Sequence, residues 1–195
     1  MRRLLKILAV LVGLIVVLAG GFAAYISIKG VPTYRADYPA AIASLNVPRD
    51  SAHVARGAKI AALLCNECHK GEDGLLTGNI LPDLPKEFGK TASYNITHDA
   101  EQGIGSWTDG ELYYFLRTGI RKDGSWAPPF MPKFPLMADE DLYSVIAWLR
   151  SDDPSLAASS REYPPNEYNF LVKFLSNVAF SPPPLPKSPI VVPDT

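Results

Sequence analysis

From Ile7 to Ile28 the chain runs for 22 residues without a charge, and beyond that point apolar residues come only in short periodic groups. At about 1.5 Å per residue, a helix of that length matches the hydrocarbon thickness of a bilayer. No face of the run is polar, which argues against a helix buried in a soluble core. Residues 1–28 therefore read as a transmembrane anchor. A cleavable signal peptide shares the charge order, but its apolar part is usually about 7–15 residues, and only Ala23 and Ala24 hint at a cleavage site. Residues 29–50 hold Pro32, Pro39 and Pro48 among polar side chains and read as a spacer.

Three helices then follow from period and punctuation. Asp50 and Ser51 can cap a helix from about Ala52 to Leu64, in which Val54, Ala58, Ala61 and Leu64 share a face. Thr108 and Glu111 have capping-box spacing, Leu112, Phe115 and Leu116 give an apolar face, and Gly119 supplies a stop. Asp139, Glu140 and Asp141 suit the positive end of a helix dipole, followed by Leu142, Val145, Ile146 and Leu149 up to Arg150. Between the first two helices, glycine and proline mark residues 71–90 as a long loop, of a length that usually serves a function such as wrapping a cofactor. Near the end, residues 169–179 form an amphipathic pattern on Phe170, Phe174, Leu175 and Val178, and a proline-rich tail follows. No sustained alternation predicts a strand. The organisation is an anchor (1–28), a spacer (29–50), a helical domain (51–153) and a proline-rich C-terminal extension (154–195).

Charge fixes orientation and excludes one partner class. Arg2, Arg3 and Lys6 precede the apolar run, so the positive-inside rule puts the N-terminus in the cytoplasm and the remainder on the periplasmic side of the cytoplasmic membrane. Without those three, 16 basic residues face 20 acidic ones, a balance of −4 that is no nucleic-acid footprint.

Both cysteines of the chain lie in Cys65-Asn66-Glu67-Cys68-His69. This is the attachment pattern for c-type haem: each thiol adds across one porphyrin vinyl group, and the adjacent imidazole is brought to the iron. A thiol redox pair, a structural disulfide or half a zinc site are the alternatives. Zinc would need further ligands, and besides His69 the chain offers only His53 and His98 as imidazoles. Candidates for the second axial position are Met131, Met137, His53 and His98. Met131 is favoured, because Pro128-Pro129-Phe130-Met131-Pro132 can hold a thioether rigidly without a helix. Met137 reads as easily as a core contact, His98 as an exposed loop residue, and His53 lies well before the motif.

Several segments, in order, make residues 51 to 151 resemble a class I, mitochondrial-type cytochrome c domain, and more closely the cytochrome subunits of bacterial membrane-bound dehydrogenases. They are Arg56-Gly57-Ala58-Lys59, Asn95-Ile96-Thr97, Gly103-Ile104-Gly105-Ser106-Trp107-Thr108, Gly119 to Gly124, Phe130-Met131-Pro132-Lys133 and Ala147-Trp148-Leu149-Arg150. The resemblance implies an all-α, cytochrome c-like fold, here with one N-terminal transmembrane helix. It implies that Gly57 and Trp148 form the crossing pair of the first and last helices, and that Met131 is the axial ligand opposite His69. Such dehydrogenase subunits usually carry three haem modules, whereas this chain has one motif and cannot form a multi-haem relay alone. The expected function is a mono-haem carrier that passes single electrons between periplasmic or membrane redox partners, with one covalent haem c on Cys65 and Cys68. A haem enzyme or gas sensor with an open distal position is the competing reading, disfavoured because no recognisable His, Arg or Tyr constellation forms a distal pocket.

Overall fold

The structure is a computed structural model that describes residues 1–81 and 83–192; Pro82 of the long loop and the last three residues of the C-terminal extension lie outside the described residues. Helix α1 spans Arg2–Lys29 and is long and apolar enough to cross a membrane. A one-turn helix α2 (Ala40–Ala43) precedes the domain helices α3 (Ser51–Leu64), α4 (Asn66–His69), α5 (Asp109–Thr118) and α6 (Asp139–Leu149).

Local chemistry sets the ends of these helices. The Asp50 carboxylate accepts from the backbone N–H groups of Ala52 and His53 at the start of α3. Thr108 and Glu111 complete the reciprocal capping box of α5, and Gly119 closes that helix in the left-handed conformation at φ 76°. Helices α3 and α6 cross at Gly57. A Cβ built there would lie 1.9 Å from the Ser144 carbonyl oxygen and 2.9 Å from Trp148 Cβ, so the absence of a side chain sets how closely the two backbones approach. The anticipated pairing of Gly57 with Trp148 is thus a direct contact between helices. Leu142, Val145, Ile146 and Leu149 pack beside it with Ala61, Leu112 and Leu116 in one core.

The segments flanking the helical domain are packed on it. Residues 29–50 run along α5: Tyr34 N–H donates to the Gly124 carbonyl at 2.8 Å, the Tyr38 and Tyr114 rings meet edge to face at 4.8 Å, and Val47 is buried. The C-terminal extension adds strand β2 (Glu167–Tyr168), which pairs antiparallel with β1 (Gly89–Lys90), and helix α7 (Phe170–Val178), which packs on α1. The strand pair adds two residues per strand to a fold that is otherwise helical.

Candidate functional site

Helix α3 runs directly into the motif, and Cys65, Cys68 and His69 are held on the tight turn of α4: the Cys65 carbonyl accepts from the N–H of both Cys68 and His69, at 3.2 and 3.0 Å. All three line a cavity of about 370 Å³ whose wall is mostly apolar, with contributions from Ile96, Trp107, Phe115, Leu116 and Leu149. Met131 lines the same cavity, although 62 positions separate it from His69. Met137 packs against the hydrophobic core instead, His53 sits on α3 between Asp50 and Glu140, and none of Met137, His53 or His98 lines the cavity.

One backbone group sets the tautomer of His69. Its Nδ1 lies 2.7 Å from the Tyr94 carbonyl oxygen, which can only accept, so Nδ1 carries the proton and Nε2 keeps its lone pair. Burial pushes the imidazole below its ordinary pKa, and the charge of Arg121 acts in the same direction, so the ring is neutral and able to bind a metal. The Cys65 thiol is pushed up to about 11, chiefly by burial, so it is protonated at neutral pH. Neither cysteine is in a disulfide. Among the described residues no group of three or more His, Cys, Asp or Glu side chains is placed to hold a metal ion by itself.

The loop that carries Met131 is fastened to the end of α5. Ala127 N–H donates to the Gly119 carbonyl and Phe134 N–H to that of Leu116, both at 2.8 Å. The fully buried guanidinium of Arg117 donates to the carbonyls of Phe134 and Met137, at 2.7 and 2.6 Å, and to the Asp139 carboxylate. Lys133 donates to the Pro128 carbonyl, and burial lowers its pKa to about 8. Phe130, beside Met131, stacks on Phe88 at 6.0 Å and touches the Tyr168 ring at 6.3 Å.

No local sequence pattern gives Tyr94, Arg121, Asn166 or Tyr168 a role at the cavity. Tyr94 acts on His69 through its carbonyl, which leaves no trace in side-chain identity. Asn166 and Tyr168 reach the cavity wall from the C-terminal extension, where Asn166 Oδ1 accepts from Ala92 N–H at 2.6 Å. His98, expected to be exposed, is partly covered, and its Nε2 donates to the Leu149 carbonyl at 2.9 Å, satisfying the C-terminal end of α6.

Helices α3 and α6 crossing at a glycine, beside a cavity lined by a Cys-x-x-Cys-His turn and a methionine loop, define a small haem-protein class. The family model described as Cytochrome c matches residues 54–153, and the chain belongs to the cytochrome c family, whose haem c is covalently bound. It is 36% identical over 102 residues to the cytochrome c subunit of alcohol dehydrogenase (quinone) from Gluconobacter oxydans (strain 621H), covering 51% of this chain and 21% of that protein. It is 33% identical over 92 residues to the fructose dehydrogenase cytochrome subunit of Gluconobacter japonicus, covering 45% and 19%. The gluconate 2-dehydrogenase cytochrome c subunit of Pantoea cypripedii is 28% identical over 100 residues, covering 50% and 22%. The chain thus spans about a fifth of the length of these curated relatives.

Proposed function

We propose that this chain is a membrane-anchored mono-haem c-type cytochrome, a carrier rather than an enzyme, that transfers single electrons between redox proteins on the periplasmic side. The observation that carries the reading is the convergence of Cys65, Cys68, His69 and Met131 on one apolar cavity. Cys65 and Cys68 would hold a haem through thioether bonds, and His69 and Met131 would bind its iron. When bound, the haem supplies a one-electron Fe(III)/Fe(II) couple. The residues around it orient and exclude: the Tyr94 carbonyl fixes the His69 ring, the apolar wall keeps water out, and the loop fastened by Arg117 and Phe134 keeps the thioether of Met131 in place. Helix α1, with Arg2, Arg3 and Lys6 on its cytoplasmic side, supports the anchor and the periplasmic placement of the domain. The dehydrogenase subunits among its relatives support a dehydrogenase as electron donor.

The test is expression with haem-attachment machinery, followed by mass and ligand-binding measurements. The mature protein should carry the mass of one haem, and its ferrous form should be low-spin and slow to bind carbon monoxide. Met131→Ala should make carbon monoxide binding fast and lower the potential, whereas Met137→Ala should leave the spectrum nearly unchanged. A bare polypeptide mass with two free thiols refutes haem attachment, and rapid carbon monoxide binding by the unmodified protein refutes the carrier reading in favour of an enzyme or sensor.

A further inference from the structure

The apolar arc of α7 is only partly covered by the protein: Phe174 and Leu175 at its middle are half-buried, and the rest of it is exposed. Val172 and Ser176 are buried, whereas Phe170 is 44%, Leu171 36% and Val178 56% exposed, and Phe180 just past the helix is 46% exposed. Phe170, Phe174 and Val178, with Leu171 and Leu175, recur at three- and four-residue spacing and form one side of the helix. The one charged residue of the helix, Lys173, lies off that arc and donates to the Ser27 carbonyl near the end of α1, at 3.4 Å.

The place where α7 meets α1 indicates what covers the arc. Phe174 meets Phe22 edge to face at 6.4 Å, and Asn177 Nδ2 donates to the Gly30 carbonyl at 2.8 Å. Phe22 lies six residues before Ile28, the last residue of the uncharged run, which at about 1.5 Å per residue is about 9 Å inside its end. Amphipathic helices that lie in a membrane interface bury their apolar side to a depth of about 5–10 Å. Phe22, Tyr25 and Ile28 of α1 are themselves exposed, so the arc of α7 continues the lipid-facing surface of the anchor.

We propose that α7 lies in the outer interface of the bilayer crossed by α1, with Phe170, Leu171, Phe174, Val178 and Phe180 among the lipid acyl chains. The inference rests on the reading of α1 as a membrane anchor. It makes the C-terminal extension a second membrane contact and holds the haem domain at a fixed attitude to the bilayer.

Photocrosslinking of the full-length holoprotein in vesicles of phosphatidylethanolamine and phosphatidylglycerol tests it. The amino acid p-benzoylphenylalanine is placed singly at Leu171, at Val178, at Leu11 within α1, or at the exposed charged position Glu72, and each product is analysed by mass spectrometry. Phospholipid adducts at Leu171 and Val178, approaching the yield at Leu11 and at least fivefold above Glu72, support the proposal. Adducts at Leu11 with none at Leu171 and Val178, or with a second copy of the protein attached there, overturn it and leave the anchor standing. Yields at Glu72 equal to those on α7 overturn it as well, since labelling then reports random encounter. Absence of lipid adducts at Leu11 removes the anchor reading and this inference with it.

Discussion

Replacing Gly57 by alanine sets two effects of opposite sign against each other. In the interior of a helix, alanine is favoured over glycine by about 1 kcal/mol, so α3 taken alone would gain stability. At this position the new methyl would lie 1.9 Å from the Ser144 carbonyl oxygen, where real Cβ contacts essentially never fall below 3.0 Å. The obstacle is the backbone of α6, which has no rotamer to change, so the helices must separate by about 1 Å, a gap that forfeits a quarter to a half of the dispersion energy of the atom pairs facing across it. Overpacking of this kind costs about 3 kcal/mol. The net expectation is a loss of about 2 kcal/mol, or about 8–16 °C in melting temperature for a domain of this size. Thermal unfolding of Gly57→Ala and unmodified holoprotein in the same detergent, followed by circular dichroism, measures it. A melting temperature equal to or above that of the unmodified protein would refute the claim that Gly57 sets the crossing distance.

Two further outcomes follow from side-chain networks. Arg117→Met leaves the Asp139 carboxylate and the Phe134 and Met137 carbonyls without a buried cation, and should cost about 3–5 kcal/mol in denaturant unfolding; an unchanged midpoint would dismiss the guanidinium as the fastener of the Met131 loop. The His53 imidazole is held above its ordinary 6.5, first by its hydrogen bond to Asp50 and then by that to Glu140, so its contribution to stability is complete below about pH 6.5 and is lost as pH rises through the raised value. The stability gap between unmodified protein and His53→Ala should therefore shrink from acid to alkaline pH, and a constant gap would show that His53 acts by packing alone.

What could be read from the sequence was whatever is encoded locally. The ends of α3 and α5 are written in Asp50, Thr108, Glu111 and Gly119, whose side chains or backbone freedom act within four residues of themselves. The pairing of Gly57 with Trp148 is long-range, and resemblance to a family implies it where periodicity does not. The strand pair was not legible, because two residues on each side carry no alternation. The periodicity of α7 was legible as an apolar arc, but periodicity does not say what an arc faces. The protein covers Val172 and Ser176, and leaves exposed much of the arc that the pattern marks as apolar. Residues 29–50 show the same limit from the other side: prolines among polar residues predict a spacer, yet Tyr34, Tyr38 and Val47 find partners on α5 and its flanking turns that no local pattern reveals.

The C-terminal extension joins the cavity to α1 through a very short piece of chain. Asn166 and Tyr168 form part of the cavity wall and Tyr168 touches Phe130, the neighbour of Met131, while two residues after Tyr168 the chain enters α7, which grips the end of α1. Asn169, between strand and helix, hydrogen-bonds to the Lys86 carbonyl, so the joint is itself tied to the loop that carries β1. Residues 29–50 make a second connection from α1, through Tyr34 to Gly124 and through Val47 to Asp109. A domain attached by one flexible tether samples many orientations, whereas two packed connections from one helix end restrict it to few. Under the proposed function, the cavity wall beside Met131 is therefore held at a set height and angle above the membrane, and electron partners must approach by the faces that this geometry leaves open.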